Sequence, residues 1–575
     1  MHDTVIRGGT IIDGTGAPRF TGDVAIQGEK IVEVGGKIGP GKREIKADGL
    51  LVTPGWVDVH THYDGQATWD PILAPSSWHG VSTILFGNCG VGFAPVHKGE
   101  HTGLVELMEA VEEIPGVAML EGMKFNWESF PEYLDALAEM PRTIDIGAQI
   151  PHNPLRVFVM GDRALRRENA TDEDIAEMAK LVEEGMRAGA FGFTASRTNS
   201  HKTLTGDYVP GRDAEVKEMM GIGRGLARSG HGAFGINSDF DNEKAELQWM
   251  TELAKETGRP VWFLLTDRPT DPDRWRRLMA GVHAARAQGA MLTAQIAGRP
   301  VGVLLGIDTA LNPFSIRPSY QAVLKLPVAE RLARLRDPAM RAQILSEKPS
   351  EQLVSLLTQF RKFITTRWDR MFILGDPPDY EPPVESSIAY IAKREGRTPD
   401  EVAYDYLVGG AERFLFFPVV GYTEDNHEPI REMLSDPTTL LGLSDGGAHC
   451  SSIIDASLPS WMLTHWGRDR TRGPGIPLER LVQRQTSNTA DFFGFSDRGK
   501  LQPGLRADIN VIDFKNLRLR IPEVTYDLPA GGRRLVQRVD GYVATMVAGA
   551  TVFERGEYTG ATPGRLVRAG VNGCR

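Results

Sequence analysis

The chain has 575 residues, 41% hydrophobic and 24% charged, which is enough apolar material for a large domain plus a smaller unit and too much for a disordered chain. A formal net charge of −10 and an isoelectric point near 5.8 exclude a broad basic face for nucleic acid or anionic lipid. Three widely spaced cysteines, Cys89, Cys450 and Cys574, exclude a disulfide framework and suit a reducing compartment.

From Met1 the sequence runs directly into alternating residues, with no basic stretch followed by a short apolar one, the pattern a secretion signal requires. No uncharged apolar run approaches the roughly 20 residues that cross a bilayer. The expectation is a cytoplasmic protein with no membrane partner. Residues 1–53 carry short extended segments at Thr4–Arg7, Thr10–Ile12, Asp23–Gln27 and Lys30–Val34, separated by glycine turns. The same composition returns at Ala507–Asp513 and Gly541–Phe553, so the two ends, 1–53 and 491–575, are expected to build one small β-domain around a central region, 54–490.

In that central region apolar segments alternate with amphipathic ones, as when parallel strands are joined by crossover helices. Eight strands are expected, at Leu51–His60, Val81–Gly87, Ile144–Ile150, Ala190–Ala195, Ala233–Ser238, Pro260–Thr266, Met291–Ala297 and Leu440–Asp445. Helical periodicity is clearest at Asp172–Ala188, Ala214–Arg228, Glu243–Thr257 and Arg274–Gln288. The long link between the last two strands predicts a helical insertion at about 300–435, with helices at Val328–Arg336 and Pro349–Arg361 and a helical pair within Ser386–Leu407.

Three motifs carry chemistry. In Pro54-Gly-Trp-Val-Asp-Val-His-Thr-His62 a strand delivers His60 and His62 to one face, where two imidazoles can share a divalent ion; the spacing alone suits two unrelated histidines equally well. In Leu440-Leu-Gly-Leu-Ser-Asp-Gly-Gly-Ala-His449, Asp445 either ligates a metal and takes a proton from water or opens a glycine turn. In Gly87-Asn-Cys-Gly90, Cys89 follows a strand and is either a thiolate ligand or a small apolar residue.

Taken with the ending Gly556-Glu-Tyr-Thr-Gly-Ala-Thr-Pro-Gly-Arg565 and the segment Asp497-Arg-Gly-Lys-Leu-Gln-Pro-Gly-Leu-Arg-Ala-Asp508, these motifs resemble the D-aminoacylases, the N-acyl-D-amino-acid deacylases of the amidohydrolase superfamily, over nearly the whole chain. The resemblance implies an α/β fold: a (β/α)8 TIM-like barrel with a small β-sandwich domain formed from both chain ends. It implies a metal-dependent hydrolase of a carbon–nitrogen bond in an N-acyl amino acid or related small N-acyl compound, with zinc as the expected metal in one or two ions. It makes His60, His62, Cys89 and Asp445 metal-site residues, and Asp445 also the general acid/base. The family supplies one further histidine each from the fifth and sixth strands. Here those ends read Gly235-Ile-Asn-Ser-Asp239 and Phe263-Leu-Leu-Thr-Asp267, so Asp239 and Asp267 are the candidate substitutes.

His201, in the polar loop Ser196-Arg-Thr-Asn-Ser-His-Lys202, is a further candidate for metal or substrate, with His449 and His465 behind it. Arg197, Arg268, Arg299 and Arg468 follow catalytic-side segments, where an arginine can meet a substrate carboxylate or stand as a surface residue, and Arg268 is the one carried as a candidate contact. The altered ligand set leaves two alternatives: hydrolysis of a cyclic amide, lactone or carbamate on the same fold, or a metal-free binding protein descended from such a hydrolase. A small-molecule substrate is the expected partner, with no nucleic acid, and a homo-oligomer stays open.

Overall fold

The computed structural model describes residues 1–351 and 364–570; the helix expected at Pro349–Arg361 falls largely outside them, as does Cys574. Eight parallel strand positions organise the centre. We number them β1 (Trp56–Asp58), β2 (Val81–Phe86), β3 (Asp145–Ala148, resumed at Ile150–Pro151), β4 (Gly192–Arg197), β5 (Ala233–Ser238), β6 (Val261–Leu265), β7 (Leu292–Ile296) and β8 (Thr439–Leu441). Each pairs in parallel with its successor from β1 to β3 and from the resumed β3 through β8. Just past β8, Gly446 makes a parallel bridge to Thr61, just past β1, so the strand order returns to its start.

All eight expected strands are present; β5 has its expected ends and the others are shifted. The expected Leu51–His60 strand divides at Gly55, where a Cβ would meet Ser82 Oγ at 2.4 Å. Its first half, Leu51–Pro54, joins another sheet and its second half is β1. Helices pack between successive strands, among them Asp172–Arg187, Val216–Ala227, Glu243–Thr257 and Arg274–Ala287. Asp172–Arg187 starts on a reciprocal cap between Thr171 and Asp174, which satisfies two of the amides that every helix start leaves unpaired.

The two chain ends meet in one nine-stranded sheet. In it Leu51–Pro54 lies between Ile509–Ile512 and His2–Ile11, and Tyr542–Val547 and Ala550–Glu554 continue outward. Asp145 of β3, fully buried, ties the C-terminal segment inward through Arg498 at 2.7 Å and Arg506 at 3.0 Å. Between β7 and β8 the expected helices appear at Val328–Leu335, Ile388–Glu395 and Pro399–Leu407. They share an apolar core with a three-stranded antiparallel sheet, Val301–Leu305, Leu415–Val420 and Phe372–Ile373, which the sequence reading did not anticipate. Among the described residues no helix is long and apolar enough to cross a membrane.

Candidate metal centre

The chain leaves β1 at Asp58 and places His60 and His62, both fully buried, side by side with ring centroids 5.5 Å apart. The loop after β2 is pinned to them. Asn88 Nδ2 donates to the carbonyls of Thr61 and Leu85, each at 3.1 Å, and the amide of Gly90 donates to Thr194 Oγ1. Gly87 makes the turn possible, since at φ +81° a Cβ would lie 2.2 Å from the Gln149 carbonyl. Beyond β8, the amide of Asp445 donates to the His60 carbonyl at 3.1 Å and that of His62 to Gly446 at 2.8 Å. Cys89 and Asp445 both hold the left-handed backbone region, at φ +54° and +47°, a conformation that costs a non-glycine residue roughly 1–2 kcal/mol and that clusters at functional sites.

Around His60 Nε2 the other groups converge: Cys89 Sγ at 3.6 Å and Asp445 Oδ1 at 3.5 Å, with His62 Nε2 3.8 Å from the same carboxylate oxygen. The far side of each ring is held. His60 Nδ1 lies 2.6 Å from Gln295 Oε1, which can only accept, so Nδ1 carries the hydrogen and Nε2 the lone pair. His62 Nδ1 faces Glu112 Oε1 at 3.5 Å. Glu112 ends the helix His101–Glu112 and is 2% exposed.

The electrostatics of this cluster call for a cation. Burial keeps both imidazoles neutral, with His60 lowered to about 4 and His62 well below its usual value. Burial, then the charges of Glu112, Asp445 and Asp64, hold the Cys89 thiol well above its ordinary range. Asp445 and Glu112 are raised strongly and Asp64 to about 7, each chiefly by burial. Among the described residues none of these three carboxyl groups pairs with lysine or arginine, and Asp445 Oδ1 and His62 Nδ1 are buried without a hydrogen-bond partner. An orphaned buried carboxylate oxygen is costly. A divalent ion would satisfy it and return Cys89 to the thiolate form.

The other sequence candidates fall in different places. His201 Nδ1 is 2.8 Å from Ser196 Oγ near the end of β4; burial, with a contribution from His60, lowers it to about 4. Asp239 is engaged by Thr198 Oγ1 at 2.6 Å and the Asn199 amide at 2.7 Å, with Arg268 at 3.5 Å. Asp267 accepts from the Thr423 amide at 3.0 Å and hydroxyl at 2.6 Å. The two aspartates are thus spoken for by neighbours other than the histidine pair. His449 borders the cluster, with Nε2 3.7 Å from Glu112. Arg197 pairs with Glu246, Arg299 with Asp455 and Arg468 with Asp469. Sequence reasoning missed Glu112 and Gln295; the signal for Glu112 was an acid in the apolar register of Leu104, Met108 and Val111.

The amidohydrolase family model matches residues 43–553. The D-aminoacylase of Alcaligenes xylosoxydans xylosoxydans is 25% identical over 572 residues, covering 98% of this chain and 97% of its own. A crystal structure of D-aminoacylase superposes with a TM-score of 0.65 at 23% identity, covering 99% of this chain and all of that one. The N-acyl-D-glutamate deacylase of Bordetella bronchiseptica, solved with zinc and a phosphonate inhibitor that mimics a tetrahedral intermediate, gives 0.62 at 22% identity over 99% and 100%.

Proposed function

This chain belongs to the amidohydrolase family and is D-aminoacylase-like, and from that premise we propose that it is a metal-dependent hydrolase of the carbon–nitrogen bond of an N-acyl amino acid or a related small N-acyl compound. The observation that carries the reading is the buried donor group of His60, His62 and Cys89, whose atoms lie within 4.8 Å of one another, with the unpartnered Oδ1 of Asp445 facing the two imidazoles. The cyclic order of parallel strands supports a (β/α)8 barrel, with the site at the carboxyl ends of its strands. We divide the chain accordingly into a barrel at 54–490 and a small β-domain from 1–53 and 491–575.

His60, His62, Cys89 and Asp445 would hold the ion, and their donor set of two nitrogens, a sulfur and an oxygen suits zinc. When bound, such an ion supplies Lewis acidity toward the acyl carbonyl oxygen and toward water. The remaining chemistry belongs to the chain. Asp445, held beside His60 by backbone hydrogen bonds, accepts a proton from the attacking water and delivers it to the leaving nitrogen, so that the amine departs neutral. Gln295 fixes the tautomer of His60, and Glu112 turns His62. Burial keeps bulk water from these groups, which strengthens every charge interaction among them. Arg268 and His201, on the β6 and β4 sides, would meet the substrate's polar end.

The test is metal content together with a panel of N-acyl-D- and N-acyl-L-amino acids, lactones and cyclic amides. Stoichiometric zinc and chelator-reversible amide hydrolysis are expected. Protein that holds no metal at His60 and His62, and gains no activity on adding one, would overturn the reading.

A further inference from the structure

A second group of buried metal-type donors lies apart from the first. Glu381 and His427 are fully buried and His465 is 13% exposed. Their facing atoms form a compact triangle: Glu381 Oε2 to His465 Nε2 3.1 Å, His465 Nε2 to His427 Nδ1 3.3 Å, and His427 Nδ1 to Glu381 Oε2 3.7 Å. Tetrahedral zinc with bonds of about 2.0–2.1 Å sets its nitrogen and oxygen ligands roughly 3.3–3.4 Å apart, close to the mean of these edges.

The hydrogen-bond accounting points the same way. His427 Nε2 lies 2.9 Å from the Tyr380 carbonyl, which only accepts, so Nδ1 bears a lone pair toward the triangle. This is the tautomer a metal-bound histidine takes when its other nitrogen donates to a carbonyl. Glu381 has about four lone-pair sites. Arg470 fills two, donating from Nη2 to Oε1 and from Nε to Oε2, each at 3.0 Å, and the His427 amide fills a third on Oε1 at 2.7 Å. The fourth, on Oε2, faces the two rings. Without an ion, the single Nε2 hydrogen of His465 must serve two acceptors, Glu381 Oε2 and His427 Nδ1. One ion in the triangle serves all three groups.

Arg470 is flanked on its other side by Glu428, 2.8 Å from Nη1 and shared with Arg431, so two carboxylates face its one charge. Trp461 stacks on His465 at 4.3 Å between centroids and fixes the ring. His465 sits in a π-helical stretch, Met462–Asp469, a rare conformation frequent at functional sites. Together with Glu381 it lines a cavity of about 800 Å³ from which an exchangeable ligand can reach the triangle.

We propose that Glu381 Oε2, His427 Nδ1 and His465 Nε2 form a second site for a divalent transition-metal ion of the zinc class, with its remaining coordination position open to this cavity. The site shares no residue with the first centre and stands whether or not that centre works as a hydrolase.

The test is equilibrium dialysis of the full-length protein against zinc with elemental analysis. A His60→Asn/His62→Asn variant should keep one equivalent, and adding His465→Phe, which preserves the stack on Trp461, should remove it. The same metal content with and without His465→Phe, or no metal in the double variant at micromolar free zinc, overturns the proposal. Should either variant misfold, zinc-edge anomalous scattering from zinc-soaked wild-type crystals decides. A peak among the three donors is expected; a peak at His60 and His62 with none here overturns it.

Discussion

Glu112 gives the sharpest test of how the first centre is built. It is the buried carboxylate behind His62, 3.5 Å from Nδ1, and no lysine or arginine among the described residues shares it. A full charge pair at that distance and an effective dielectric of about 20 is worth roughly 4–5 kcal/mol. The neutral ring carries only a fraction of a charge, so the real contribution is smaller, and removal of such a partner typically weakens metal affinity about 10- to 100-fold. Burial holds the Glu112 carboxyl well above its usual range until a cation on His62 draws it into the ionised form. Glu112→Gln keeps an acceptor for the Nδ1 hydrogen and loses that charge, so its zinc affinity should fall about tenfold, while Glu112→Ala loses both and should approach 100-fold. The assay is competition against a chromophoric chelator, with thermal stability measured in parallel. Wild-type affinity in both variants would refute the argument, as would a loss in Glu112→Ala matched by global unfolding while Glu112→Gln binds normally.

Three further outcomes are expected. Asp445→Asn should retain most of the metal and lose about 10²- to 10⁴-fold in kcat, measured on the best substrate of the panel; near-wild-type turnover would remove Asp445 from the proton path. Asp145→Asn removes the buried carboxylate that Arg498 and Arg506 share while leaving them Asp497 and Asp508, and should destabilise the protein by about 1–3 kcal/mol, seen as a lower Tm and faster proteolysis between the C-terminal segment and the barrel. His79, buried between Ser460 Oγ and the Gln537 carbonyl, is lowered by burial to about 4. Because the unfolded chain binds its proton near pH 6.5, the stability from neutral His79 is present above that pH and lost as pH falls toward 4, by about 3 kcal/mol in all. The stability difference between wild type and His79→Gln should therefore narrow on acidification. Taking that difference cancels Asp58 and Asp64, raised to about 6 and 7, which act with the opposite sign.

Where hydrophobic periodicity and end signals coincide, the sequence was readable. Glu243–Thr257 and Ala233–Ser238 were placed to the residue, and the N- and C-terminal strands were recognised as one composition before being seen in one sheet. The errors have local causes. The expected Leu440–Asp445 strand stops at Leu441 because Leu443 and Asp445 turn into the left-handed region, which a run of apolar letters does not reveal. His465 was ranked behind His201 as a candidate, and its ring stacks on Trp461. What the sequence could not offer was proximity, since Glu381, His427 and His465 come from three separate segments and no short spacing marks them.

The ends of β5 and β6 bear on what this site can accept. Where the resemblance leads one to expect a histidine from each strand, the chain places Asp239, held by Thr198, Asn199 and Arg268, and Asp267, held by Thr423 from the insertion. An aspartate already accepting two hydrogen bonds gains little from ligating a metal and loses those partners if it turns. The strong donors are therefore gathered on the β1, β2 and β8 side, while the β5–β6 side presents a guanidinium whose pairing with Asp239 is long. An arginine on a loose tether is suited to exchange that contact for a bidentate one with an incoming carboxylate. On the proposed function, substrate charge would be read by Arg268 on the side where the resemblance leads one to expect histidines.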